Sequence, residues 1–164
     1  MAYVAPSIPA VGDLITAAQA AILAQNQIDA AAAWTTYTPV WTAVTTNPAL
    51  GNGILTGQYL QVGKTVYYWL NLTCGSTTTF GSGIYSLTLP VACYAGATIF
   101  GYVRGFNSGV ATFDGQAIRV TSTTVQIELP TSAASNAMVR LSNTVPWTIK
   151  AADTFMISGT YQAA

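Results

Sequence analysis

The stretch from Leu50 to Pro90, LGNGILTGQYLQVGKTVYYWLNLTCGSTTTFGSGIYSLTLP, reads as three strands joined by two kinds of turn. In its centre Val66, Tyr68, Leu70, Leu72 and Cys74 share one parity, and Thr65, Tyr67, Trp69, Asn71 and Thr73 share the other. That is the period of a β-strand, whose successive side chains point to opposite faces. The first set is core. The second mixes two large aromatics with small polar groups, so it is a candidate interface or ligand face, with Trp41 and Phe80 as further members. Val62-Gly63-Lys64-Thr65 reads as a hairpin turn, and Gly75 to Gly83 as a Ser/Thr/Gly loop centred on Phe80.

Working outward, the chain has 164 residues, enough for one sizeable core and too few for two comfortable domains. Charged residues make up 6 % of it, where about a quarter is usual, while 51 % is hydrophobic and the net charge is zero. Such a composition opposes disorder, which needs low hydrophobicity or high net charge. It also removes colloidal repulsion, so the surface is expected to be covered in an oligomer or a larger particle.

Residues 1–12 form an extended arm punctuated by Pro6 and Pro9, with Tyr3, Val4 and Ile8 as docking side chains. The arm either anchors on a neighbouring protein or packs on its own domain. Residues 13–33 predict the one helix. Thr16 and Gln19 match a capping box, and the alanine-rich body has high helix propensity. Leu14, Ala18, Gln25 and Ile28 lie on a thin apolar stripe with Ile22 beside it. So few large side chains cannot hold a helix of this length in water, so it must pack on something: its own β-domain, or other copies of itself in a short bundle.

From residue 34 to 164 the vocabulary changes to Thr, Val, Ile, Tyr and Gly. Pro39 argues for an edge position. Beyond Pro90, strands are expected at Ala97–Arg104, Val110–Phe113, Gln116–Thr121, Thr124–Leu129, Ala137–Leu141, Pro146–Ile149 and Thr154–Tyr161. Asp114-Gly115 and Ser122-Thr123 serve as turns, and Ile118 and Val120 face inward. Eight to ten strands close most economically as an all-β, jelly-roll-like antiparallel sandwich preceded by one N-terminal α-helix.

The residue inventory argues against catalysis. The chain has no histidine, which removes the commonest general base and metal ligand. Asp13, Asp29, Asp114, Glu128 and Asp153 are scattered, and only Asp114 with Glu128 or Asp153 keeps a glycosidase pair open. No catalytic residue, cofactor or metal site is expected. Gly63-Lys64-Thr65 ends like a phosphate loop, but Gly57 stands one residue too far from Gly63 and a strand follows. Lys64, Arg104, Arg119, Arg140 and Lys150 are dispersed, so no nucleic-acid partner is expected. No apolar run reaches the roughly 18 residues of a membrane span, and residues 1–13 lack the features of a signal peptide. Cys74 reads as a buried thiol, with a disulfide to Cys93 as the alternative. At least one arginine is expected either to pair with Glu128 or Asp153 across a subunit boundary, or to stand on a solvated sheet face.

The phrases LGNG, TGQY, VGKTV and GSTTTFGSG, with the Trp-rich lead WTTYTPVWTA, resemble a module of tail fibres, minor tail proteins and head-surface proteins of tailed bacteriophages. The resemblance covers Trp34 to Pro90, about a third of the chain. It departs at Gln58, where the family usually carries a basic residue. What it implies is a non-enzymatic structural component of the virion, assembled in the host cytoplasm and displayed as a spike, fibre or decoration. It further implies a homotrimer with a three-helix neck, joined to capsid or tail proteins through the arm and helix. The alternative is a tail-tip receptor-binding module that takes a host cell-wall carbohydrate.

Overall fold

The computed structural model describes residues 15–30, 33–96, 99–132, 135 and 137–164, with only the backbone at 28–30 and 99–100. The arm of residues 1–12 therefore lies outside the described residues, as do Tyr3, Val4, Ile8, Leu14 and the side chain of Ile28. Helix α1 spans Ala17–Ala30, shorter than the expected 13–33. Its start is fixed by the capping box. The Thr16 amide donates to Gln19 Oε1 at 2.8 Å, and the Gln19 amide donates to Thr16 Oγ1 at 3.2 Å.

Among the described residues ten strands follow: β1 Thr35–Tyr37, β2 Trp41–Ala43, β3 Ile54–Val62, β4 Thr65–Thr73, β5 Tyr85–Thr88, β6 Ile99–Asn107, β7 Ala111–Arg119, β8 Thr124–Pro130, β9 Met138–Arg140 and β10 Thr154–Gln162. All pairings between them are antiparallel. The coarse expectation of an antiparallel β-domain after one helix holds. The strands hydrogen-bond in a single path, β1-β3-β4-β10-β6-β7-β8-β5-β2, with β9 beside β8.

That path has to curl. β1 and β2 are its two ends, yet only Thr38, Pro39 and Val40 separate them in sequence. Nine strands laid flat would put those ends about 38 Å apart at the usual strand spacing, whereas a three-residue linker spans at most about 15 Å. The sheet therefore rolls into a half-barrel whose edges approach each other at the linker. On the β2 edge, Val40 and Thr88 extend the β2–β5 ladder into the linker: the Val40 amide donates to Thr88 Oγ1 at 2.8 Å and the Thr88 amide to the Val40 carbonyl at 3.1 Å. From the other edge, the Tyr37 hydroxyl donates to the Thr88 carbonyl at 3.5 Å. Pro39 is tolerated in this linker, since it has no N–H to lose from a ladder.

Inside the curl lies one core, in which Val66, Leu70, Leu72, Val103, Ile127, Leu129, Phe155 and Ile157 are almost wholly buried. The parity expected for β4 is observed, and so is the hairpin turn, with Val62 facing Thr65 and Gly63 at φ 59°. Cys74 and Cys93 are both free and buried.

Three local expectations are corrected. Asp114-Gly115 is the middle of β7, which merges the two short strands expected there; the turn falls instead at Gly109, φ 75°. A Cβ on Gly115 would stand 2.0 Å from the Glu128 carbonyl oxygen, so this glycine permits close approach of β8 and does not mark a turn. Consequently the inward residues of β7 are Phe113 and Ala117, while Ile118 is half-buried and Val120 exposed. Residues 146–149 form no strand. Pro146 cannot donate, and Trp147 packs against the core between Phe113 and Phe155.

Candidate functional site

The outward face of β4 carries Thr65, Tyr67, Trp69, Asn71 and Thr73. Register fixes their neighbours. Trp69 stands between Gln58 on β3 and Ser158 on β10, Tyr67 between Leu60 and Thr160, and Asn71 between Thr56 and Met156. Beyond β10 the same face continues on β6 with Tyr102, Arg104 and Phe106. Adjacent strands thus assemble a broad surface on which Trp34, Ile54, Tyr67, Tyr102, Phe106 and Met156 are exposed.

A cleft of about 540 Å³ opens in this face. Trp34, Tyr67 and Trp69 line it together with Gln58, Ser158 and Thr160. A second cleft of about 370 Å³ shares Gln58 and Trp69 and extends over β1 and β3 to Thr36, Tyr37 and Thr56. Neither is lined by a carboxylate, an amine or a guanidinium.

Ionic groups stand at the far border of the face as a cross-strand ladder. Arg104 Nε lies 3.6 Å from Asp114, its direct partner on β7, and the Tyr102 hydroxyl donates to the same carboxylate. This hydrogen bond to Asp114 raises the pKa of the Tyr102 phenol. One step on, Gln116 Nε2 donates to Glu128 Oε2 at 2.8 Å, and Arg140 Nε lies 3.8 Å from Glu128 Oε1. Glu128 thus has its arginine within the chain, on the solvated face, and the subunit-crossing alternative is not needed to explain these charges.

Asp153 is fully buried and accepts hydrogen bonds from Ser108, Trp147 and Lys150. It is a structural acceptor and does not share an open cleft with Asp114 or Glu128. The Cys74 thiol is pushed up to about 12 by burial, reinforced by the nearby Asp153 charge, so it is held as an inert thiol and not as a nucleophile. Among the described residues no group of three or more His, Cys, Asp or Glu side chains could hold a metal, and no helix is long and apolar enough to cross a membrane.

Of the residues singled out from sequence, Tyr67, Trp69 and Asn71 share one face. Trp41 does not join them. It is buried on the inner side, its ring 5.0 Å from Tyr85, and its Nε1 makes no hydrogen bond. Phe80 packs against the core. Its loop is closed against the LGNG turn: Thr77 and Asn52 exchange hydrogen bonds, the Thr78 hydroxyl donates to the Leu50 carbonyl at 2.6 Å, and isolated bridges join Thr46 to Ser82 and Ala49 to Thr79. The stretches LGNG and GSTTTFGSG are therefore two halves of one closure. In α1, Ala18 and Gln25 are exposed and Ile22 is half-buried.

Sequence reading missed Trp34, Gln58, Ser158 and Thr160 as site residues. Gln58 and Trp69 alternate correctly within their own strands, but nothing in sequence pairs β4 with β10, whose residues lie about ninety positions apart.

The fold and the face define a curled antiparallel β-domain with a neutral, aromatic-lined groove on its outer surface. Comparison with protein families, with curated proteins and with solved structures found no match.

Proposed function

We propose that the chain is a non-enzymatic structural component of a tailed-bacteriophage virion, assembled in the host cytoplasm and displayed on the particle as a homotrimeric spike, fibre or decoration. The phage assignment rests on the resemblance carried by residues 34–90. The trimer rests on α1. Among the described residues no strand packs extensively on this helix, and Ile15 and Leu23 are 58 % and 42 % exposed. A helix of 14 residues is marginal in water on its own, so its natural partners are the same helix in other copies, forming a neck attached to capsid or tail proteins. The curled sheet, folded over its core at the Thr38–Val40 seam, is read as a flattened jelly-roll-like sandwich projecting from that neck.

Sedimentation of the full chain gives three times the monomer mass on this reading. Gold-labelled antibody to the β-domain then marks intact particles, on the head for a decoration and at the tail tip for a receptor-binding part. Particles without label would sink the virion assignment.

The second reading, a tail-tip receptor-binding module for host carbohydrate, is favoured by the open cleft at Trp69, which leaves Tyr67 43 % exposed. It is compatible with the same trimer.

A further inference from the structure

We infer that the two clefts meeting at Trp69 form one groove that takes a neutral, linear oligosaccharide, with two subsites on either side of the Gln58–Trp69 pair. This deepens the receptor-binding reading and rests on it for the origin of the ligand; the groove itself rests on geometry.

The lining has the chemistry of sugar recognition. A pyranose ring presents apolar C–H faces and a rim of hydroxyls that both donate and accept. Trp34, Tyr67 and Trp69 offer aromatic surfaces to the first. Gln58 offers an amide, with donors and an acceptor on one side chain, and Ser158 and Thr160 offer hydroxyls that do both. Gln58 and Ser158 flank Trp69 directly on its two neighbouring strands, so any ring stacked on the indole lies within reach of polar groups on both sides.

Charge narrows the class. With no amine or guanidinium in either cleft, the groove offers no cation to a phosphate, sulfate or uronate. The nearest arginine on the face, Arg104, is paired with Asp114 beyond β10. A nucleic acid or an acidic glycan is therefore a poor fit, and a neutral glycan a good one.

Shape supplies the length. The larger cleft, about 540 Å³, has the size of ordinary ligand sites. The second continues it across β3 towards β1, roughly perpendicular to the strands, through Thr36 and Thr56. A single ring leaves the larger cleft part-empty, and a short linear chain fills both.

The test uses the full-length protein. An array of neutral glycans built from hexoses, deoxyhexoses and N-acetylhexosamines identifies a binder, and calorimetry with the soluble tetramer and monomer of that glycan measures it. We expect the tetramer to bind at least about tenfold tighter than the monomer, and Tyr67→Ala and Gln58→Ala each to weaken it about tenfold. Both variants alter exposed residues and keep the melting temperature and sedimentation mass of the parent. Competition by purified host cell-wall polysaccharide, set against secreted exopolysaccharide, distinguishes the two sources of the ligand. Absence of any neutral binder, binding of acidic glycans alone, or affinity unchanged in both variants would overturn the groove. A fall in mass on Tyr67→Ala would also overturn it, assigning the face to a second copy. A monomer that binds glycan leaves the groove standing and sinks only the trimer.

Discussion

The Trp147 indole donates its Nε1–H to Asp153 Oδ2 at 2.9 Å, and Asp153 has no exposed surface. The same carboxylate accepts the amides of Ser108 at 2.8 Å and Lys150 at 3.0 Å, so one anion ties together the β6–β7 turn, the Trp147 segment and the turn into β10. Three N–H donors replace its hydration without a cation. Asp153→Ala leaves all three donors unpaired and is expected to cost about 3–5 kcal/mol in urea unfolding. A loss below about 1 kcal/mol would show that water replaces the carboxylate there.

Glycine substitutions separate close approach from backbone conformation. Gly115→Ala places a methyl 2.0 Å from a backbone carbonyl of β8, which cannot move without breaking the β7–β8 ladder, and about 3 kcal/mol of stability is expected to go. Gly109→Ala meets nothing within 4 Å and has only its φ of 75° against it, so about 1 kcal/mol is expected. Melting temperatures should rank the two in that order.

The Tyr68 hydroxyl is buried and makes no hydrogen bond. Tyr68→Phe removes an unsatisfied polar group without changing the shape of the core, and a gain of up to about 1 kcal/mol is expected in chemical denaturation.

Alkaline pH should destabilise the fold. Burial raises the pKa values of the Cys74 thiol and of the Tyr37, Tyr68, Tyr85 and Tyr161 phenols above their ordinary values of 9.0 and 10.0. The folded state therefore holds protons that the unfolded chain releases, and stability falls as pH rises. For Cys74 this contribution is complete below pH 9 and is lost as pH climbs towards about 12. Unfolding free energies measured at pH 8 and at several points above 9 should decline, and Cys74→Ala should flatten the part of the slope that begins near 9.

Two surface changes bear on assembly. Thr16→Ala removes the cap of α1 and is expected to cost about 1 kcal/mol of helix stability, lowering helical circular dichroism and, in the trimer proposed above, weakening assembly on dilution. Arg140→Glu breaks a half-exposed pair with Glu128 and sets two acids side by side, with an expected cost near 1 kcal/mol and no change in sedimentation mass. A change of mass would return that arginine to a subunit boundary.

Much of this was legible in the chain because the signals are local. The capping box at Thr16 and Gln19, the parity of β4 and the turn at Gly63 each depend on residues within a few positions of one another. Asp114-Gly115 misled for the complementary reason. A glycine that releases φ and a glycine that lets another backbone approach look alike in sequence, and only the Glu128 carbonyl beside Gly115 tells them apart.

The sequence by itself determined the β-domain, the capping box of the helix, the low charge and the two faces of β4, since composition, capping and period-2 alternation are properties of neighbouring residues. Tertiary structure alone decided that Trp41 and Phe80 turn to the core while Trp34, Gln58, Ser158 and Thr160 join Trp69. Those placements depend on which distant strands pair and on the curl imposed by the Thr38–Val40 linker, and pairing between β4 and β10 is set by the closing of the whole sheet.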